Sequence, residues 1–483
     1  MPDDDPVPVR SPAGEALPAD ETSSVGNTPL ATVSRSSDTA ERAAVPTVTS
    51  GVSFFSAVNI VIASMIGAGV YTTSGFALAD LGSPWLVLLA WGVGGLLAIC
   101  GAISYGALAE RFTESGGEYL FLSRALHPAA GNVAGFVSLL AGFTGAIAFA
   151  ASTFEAYADG LFGLYLSEWT NRGWVASSLV ATAAVVHGFR LRVGTRVQDS
   201  LVVLKLAMLT AFLLFALFSL RQPWQGATTA KSGWADLSVV TFAVSLMWIS
   251  LSYSGFNAAI YITGEARGSG PMVRRALLCG TLVVTLIYLF LNGVFVFAPP
   301  ADAVIGKQDI AAEAARAIGG NAFAAAFRVA ILVSLATSVL SLMMTGPRVY
   351  AKMADDGVLP KFFRFDTEVP RAGIFVQAIF AIVVIRLASL QQLLSYLGMT
   401  LSLSAALTVA SLFVLRRRGE VIDLPLYPLP PLVFLGGTLV IAVVAGIEKP
   451  IELAFAVATL IVGLIAAPFS RRHSSSSGAG TNR

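Results

Sequence analysis

Apolar stretches of roughly 18 to 25 residues recur along the whole chain, and each is long enough to cross about 30 Å of hydrocarbon as a helix. Only 12% of the 483 residues are Asp, Glu, Lys or Arg, where a soluble protein carries about a quarter. Such a chain cannot cover itself with polar surface, so lipid is the solvent it fits.

The runs are Phe54 to Leu78, Trp85 to Ala109, Ala129 to Tyr157, Trp174 to His187, Val197 to Leu220 and Val239 to Thr263. They continue with Ala276 to Phe297, Ala322 to Met344, Ile374 to Leu387, Leu390 to Leu415, Leu432 to Ile447 and Ile451 to Ala467. The expectation is an all-α membrane protein of about twelve transmembrane helices with no soluble domain inserted. Residues 301–320 follow Pro299-Pro300 and are less apolar, so they are expected as an outer loop with a short surface helix.

Lys and Arg near span ends set orientation. Arg111, Arg124, Arg190, Arg192, Arg196, Arg274, Arg275, Arg348, Lys352, Arg371 and Arg416 to Arg418 all fall in one set of loops, which is therefore assigned to the cytoplasm. An even number of spans then puts both termini inside a cell membrane. Residues 1–50 are rich in Pro, Ser, Thr and Asp and lack a secretory signal; with residues 469–483 they are expected as disordered cytoplasmic tails. The net charge of +2 is too small and too evenly spread to indicate nucleic acid.

Two spans carry interruptions. Gly67-Ala68-Gly69 falls near the middle of the first, where glycine weakens a helix and lets another group approach the backbone; ordinary close helix packing would use glycine too. Ser254-Gly255 interrupts the sixth span, five spans later, which is the spacing of an inverted repeat. Matching interruptions in two halves point to a transporter's binding site. Unwound backbone at that depth must line a cavity or be buried in protein. Free N–H groups at a half-helix start suit a carboxylate and free carbonyls suit an ammonium, so a zwitterion is the expected guest. The corresponding division is 51–220 and 235–415 for two five-helix repeats, with two further helices in 425–468.

Lys205 sits inside the fifth span, where a charge costs a few kcal/mol. Either it snorkels toward Arg196 or it has a buried partner. Asn257, beside the second break, is read equally as a substrate contact and as a tie within the unwound segment.

Ile66-Gly-Ala-Gly-Val-Tyr-Thr-Thr-Ser-Gly75, Ser115-Gly-Gly-Glu-Tyr119, Gly194-Thr-Arg-Val-Gln-Asp199, Gly346-Pro-Arg-Val-Tyr350 and Asp356-Gly-Val-Leu-Pro360 together resemble the amino acid-polyamine-organocation transporter superfamily. The resemblance runs from Val52 to Ala467 and is nearest to the L-type amino acid transporter branch and its bacterial permease relatives. It implies that a substrate carboxylate meets the backbone at Ala68, Gly69 and Val70, with Gly67 of the first break counted in the same binding site. The amine would meet carbonyls near Ile62 and Met65 and those of Leu251 and Ser254, with Gly255 providing the second break. It also implies that Lys205 lies between the first and eighth helices, facing Ser338 and Ser341, where sodium-coupled relatives hold an ion. Sodium independence follows as an expectation, with proton coupling through Lys205 a hypothesis. Departures are Ala68 for a usual serine, Leu251 for a usual aromatic gate and Ala107 for a usual glutamate.

Tyr253, Phe256 and the pair Glu265 with Arg348 are candidate gates, Tyr71 is a further pocket candidate, and Glu110, Glu114, Glu118, Asp355 and Asp356 are read as solvated loop charges or positioning pairs. With Glu155 and Asp159 at the outer end of span three, no buried acid faces the expected pocket, which favours neutral amino acids. A polyamine or organic-amine carrier and a membrane amino acid sensor are the competing readings. Catalytic and metal motifs are absent, His187 is alone at a span end, and no cofactor is expected. Cys100 and Cys279 both fall inside spans, so no disulfide-linked ancillary subunit is expected.

Overall fold

The computed structural model describes residues 52–114, 116–163, 173–189, 195–219, 238–265, 269–365 and 370–474; the expected N-terminal tail lies outside this set. Each apolar run falls on a helix or a bent pair of helices. The first is α1 (Phe54–Met65) with α2 (Ala68–Leu81), followed by α3 (Pro84–Arg111) and the short α4 (Gly117–Ala125). Next come α5 (Pro128–Val137), α6 (Ala146–Phe162), α7 (Trp174–Gly188), α8 (Thr195–Ser219), α9 (Val239–Tyr253) and α10 (Ser269–Phe297). After α11 (Ala301–Val304) the chain completes α12 (Ile310–Asp355), α13 (Arg371–Leu387), α14 (Leu390–Arg417), α15 (Leu429–Glu448) and α16 (Pro450–Ser474). Among the described residues, seven helices are long and apolar enough to cross a membrane, and eight if α1 with α2 is one bent span.

Local chemistry sets the ends. Ser53 accepts from the Ser56 N–H at 3.2 Å to cap α1, and Ser389 with Gln392 forms a reciprocal capping box on α14. Prolines at the first position of α3 and α5 lack only an N–H that had no helical acceptor. Gly82, at φ 65°, closes α2 in the left-handed conformation.

Three features depart from the expected pattern. Between α5 and α6, Ser138–Gly145 winds as a π-helix, where Gly145 lets the Leu397 side chain of α14 approach so closely that an added Cβ would lie 2.4 Å from it. The segment after Pro300 forms the short α11 and then the first turns of α12, which bends at Gly320 (φ 77°), and Ile310, Ala311, Ala314 and Ala315 in those turns are buried rather than on the surface. The last helix continues to Ser474, past the residue 468 boundary.

Lipid tails are as apolar as Leu, so helices associate through close packing and buried hydrogen bonds. Gly95 of α3 permits this against Thr285 of α10, where a Cβ would fall 2.5 Å from the threonine methyl. Beside it the Trp91 Nε1–H donates to Ser74 Oγ at 2.8 Å, and Ser74 donates to Asn292 Oδ1 at 2.5 Å, tying α3, α2 and α10 together. Large apolar side chains point outward instead, Leu286 at 68% exposure and Ile447 at 73%, as a lipid-facing surface requires.

Candidate functional site

The first break is short. The last α1-type bond runs from the Ile66 N–H to the Ile62 carbonyl at 3.0 Å; Gly67 is extended (φ −128°, ψ −160°); and α2 restarts at Ala68 with its axis bent by 42°. The N–H groups of Ala68, Gly69 and Val70 open α2 and have no acceptor within that helix. Gly67 brings no side chain to cap them. This is the local electrostatics of an anion site.

The second break begins at Ser254, whose N–H and Oγ both donate to the Leu251 carbonyl, at 3.1 and 2.6 Å. Gly255 follows at φ 95°, and the chain resumes as a 3-10 helix at Ala258. The two breaks touch. A Cβ on Gly255 would lie 2.8 Å from the Ser64 carbonyl oxygen, and one on Gly69 would lie 2.5 Å from Ser252 Oγ. The glycines thus serve both readings, interrupting the helix and bringing the two interrupted segments together.

Several carbonyls expected to meet an amine already have a protein donor. Tyr288 of α10 donates to the Met65 carbonyl at 2.6 Å and lies 3.1 Å from that of Ser252, bridging the breaks. The Met65 carbonyl keeps a second lone pair, whereas the Leu251 carbonyl, also expected to meet the amine, already accepts from both the N–H and the Oγ of Ser254. Tyr288 was not singled out from sequence, since a tyrosine in a seventh span carries no local signal.

Lys205 is buried in α8 and donates to the Ile66 carbonyl at the first break. Beside it lies a cavity of about 10 Å³ walled by Tyr71, Phe327, Ile331 and Ser334, enough for about one water. The serine at this cavity is Ser334, one turn before Ser338, which donates to the Ser334 carbonyl at 3.0 Å within its own helix. Ser341 lies on the same helix, and its carbonyl accepts from Thr345 Oγ1 at 2.6 Å.

Asn257 is the tie. Its Nδ2–H donates at 2.9 Å to Glu118, and this carboxylate also accepts from Tyr105 at 2.6 Å and Ser404 at 2.7 Å. Glu118 is therefore not a solvated loop charge: α4 folds it inward until it is 8% exposed, because Gly117 packs its bare Cα against the Tyr261 ring. Burial pushes its carboxyl above the ordinary range, against the pull of the three hydrogen bonds.

The other charges at that end pair at the surface: Glu110 with Arg274 at 2.8 Å, Arg111 with Glu420 at 2.6 Å, Glu114 with Arg124 at 3.2 Å, Asp356 with Lys352 at 2.8 Å and Asp355 with Arg364 at 3.3 Å. Arg348 is exposed, while the Glu265 side chain lies outside the described residues. Tyr253 and Phe256 are locked in packing, Tyr253 donating to the Trp91 carbonyl at 2.9 Å and Phe256 lying 5.3 Å from the Tyr105 ring. At the opposite end a cavity of about 290 Å³ is lined by Phe76, Glu155, Asp159, Gln308 and Gln391. Glu155 there accepts from the N–H groups of Gly173 and Ala176, at 2.6 and 3.0 Å. Among the described residues no group of three His, Cys, Asp or Glu is placed to hold a metal.

Residues 52–469 match the family model described as amino acid permease. A serine/threonine exchanger of Bacillus subtilis, SteT, is 23% identical over 79% of this chain and 88% of its own length. The human large neutral amino acids transporter small subunit 2 is 23% identical over 85% of this chain and 78% of its own. Among solved structures, a closed, bromovinylhydantoin-bound nucleobase-cation-symport-1 transporter, Mhp1, aligns with TM-score 0.49 and 15% identity, covering 84% of this chain and 93% of that one.

Proposed function

This chain belongs to the amino acid permease family and so moves amino acids across a membrane as a multi-pass protein, and we propose that it does so without sodium, by alternating access, with a neutral amino acid held across the two breaks. The observation that carries the proposal is the contact between two interrupted helices, one of which opens with three N–H groups lacking a helical acceptor. A substrate carboxylate would take those of Ala68, Gly69 and Val70. Its ammonium would use the second lone pair of the Met65 carbonyl and the Ser254 carbonyl, because Ser254 already fills both lone pairs of the Leu251 carbonyl. Because Gly69 and Ser252 are in contact, the substrate must separate α2 from α9, the differential contact that alternating access needs.

We read twelve spans in a five-plus-five inverted repeat with two added helices, and both termini in the cytoplasm; the helix series and the arginine-rich loops support this. Lys205 supplies a fixed positive charge at the Ile66 carbonyl, which supports its standing in for a cation, either in an exchanger or in a proton-coupled carrier. The two cysteines lie within α3 and α10, which supports function without a disulfide-linked subunit.

An organic-amine carrier remains the second reading because Glu118 is a buried acid beside the second break. Its bonds to three neutral protein donors weigh against it, since both oxygens are engaged. Uptake of radiolabelled amino acids and of putrescine into proteoliposomes, with and without internal substrate, tests the proposal. Saturable amino acid uptake in choline buffer is expected. Uptake of putrescine alone, or of nothing, would sink it.

A further inference from the structure

Glu118 stands apart from the other acidic groups of its end of the molecule. Tyr105 faces it from α3, Asn257 and Tyr261 from the segment after the second break, and Ser404, with Thr408 beyond Tyr105, from α14. The remaining neighbour, α5, presents no titratable side chain. No Lys or Arg among the described residues pairs with it, whereas the surface carboxylates of the same end each have one.

A carboxylate buried without a cation is disfavoured by desolvation even when neutral donors reach both oxygens. Two of the three partners are hydroxyls, which can turn from donating to accepting, so the same geometry holds a neutral carboxylic acid. The third partner is the backbone-anchoring Asn257, two residues past Gly255. The proton on this group and the position of the second break are thereby physically joined.

Resting on the transport reading above, we propose that Glu118 is the positioning residue of the second break and a proton site of the cycle. It takes up a proton as the arginine-rich end closes over it and releases the proton as that end opens to water. The sign follows from linkage: whichever conformation buries the carboxyl binds the proton more tightly. Raising pH on that side favours opening, and the neutral mimic Glu118→Gln favours the closed form. The step is a reversible protonation of one carboxyl oxygen, the proton coming from and returning to water.

Infrared difference spectroscopy on the full chain in lipid, wild type against Glu118→Gln, reads the proton directly and needs no transport. The expected result is a protonated-carboxyl C=O band in the wild type that is missing from the variant and fades as pH rises. Asn257→Ala, which removes one donor to the charged form, should move the midpoint upward by about one pH unit. It also serves as the test if Glu118→Gln does not fold. In the same vesicles, uptake of labelled L-alanine, L-serine and L-leucine should fall roughly tenfold on acidifying the arginine-rich side. The Gln variant should stay flat, and Glu118→Asp should restore part of the profile. Only carboxylate bands assignable to Glu118, an unmoved midpoint in Asn257→Ala, or a wild-type pH profile in the Gln variant would overturn the proposal. The band present with no amino acid moved would uphold the proton site and sink the transport reading instead.

Discussion

The Tyr288 hydroxyl donates to the Met65 carbonyl at 2.6 Å, so a side chain of α10 closes the last turn of α1 where the helix breaks. The same oxygen lies 3.1 Å from the Ser252 carbonyl of α9, and the ring packs at 5.2 Å from both Trp91 and Tyr253. One hydroxyl therefore stabilises both interrupted backbones, while the ring holds its place by aromatic packing.

Tyr288→Phe separates these roles. The ring contacts remain, and the single O–H that the Met65 and Ser252 carbonyls share is lost, at a cost of about 1–3 kcal/mol. Thermal unfolding in detergent should show that loss as a lowered midpoint. Transport should fall more than stability does, because the break is the part that moves. An unchanged midpoint would mean that the hydroxyl contributes nothing at either carbonyl.

The glycines at the breaks are not equivalent. A Cβ on Gly67 would meet nothing closer than the Met65 carbonyl at 3.9 Å, and its φ of −128° suits any residue. One on Gly69 would lie 2.5 Å from Ser252 Oγ and 3.0 Å from its Cα, and Gly255 adds a φ of 95° to its clash with Ser64. Gly67→Ala should keep expression and stability within about 0.5 kcal/mol. Gly69→Ala and Gly255→Ala should each cost about 1–3 kcal/mol by overpacking and strain, with uptake lost. Size-exclusion profiles and uptake of the three variants side by side test the ranking.

That ranking marks where sequence stops. Run length and charge scarcity place every long helix, because about 30 Å of hydrocarbon admits little else. The Gly67 to Gly69 run announces a break without saying which glycine is packed, since that depends on Ser252, 183 residues away in sequence if counted from Gly69 (252 minus 69). Glu118 reads as a loop charge because its burial comes from α3, the second break and α14 converging on α4. Ser334, the serine at the cavity beside Lys205, lies one turn before the Ser338 that the resemblance implies, and hydropathy does not distinguish two serines of one helix. The π-turn at Ser138–Gly145 leaves no mark in hydropathy at all.

Lys205 carries a prediction about charge shape. Its ammonium reaches the Ile66 carbonyl next to a space of about 10 Å³, too small for a planar five-donor fork. Lys205→Arg should therefore be as inactive as Lys205→Ala, although it keeps the charge. Wild-type uptake should be equal in sodium and choline buffers. Restored activity in the Arg variant, or a sodium requirement in the wild type, would remove the cation stand-in.

At the end opposite the arginine-rich loops, Arg328 is buried and donates through Nη2 to Asp309 at 2.6 Å and to Glu313 at 3.0 Å. These acids sit at the start of α12, before the bend at Gly320, so the ion cluster folds the first turns of that helix back onto its own span. Gly160 at the outer end of α6 packs directly against it, a Cβ there falling 2.8 Å from Asp309 Oδ2. Removing Arg328 leaves Asp309 without a cation and Glu313 with only the exposed Arg316 at 2.9 Å, and Arg328→Ala should cost about 3–5 kcal/mol. Removing all three charges, as Arg328→Met with Asp309→Asn and Glu313→Gln, should cost less than the single substitution, since no unpaired charge is left buried. Thermal midpoints of the two proteins decide the matter: a triple variant less stable than Arg328→Ala would show that the attraction within the cluster exceeds the cost of desolvating it.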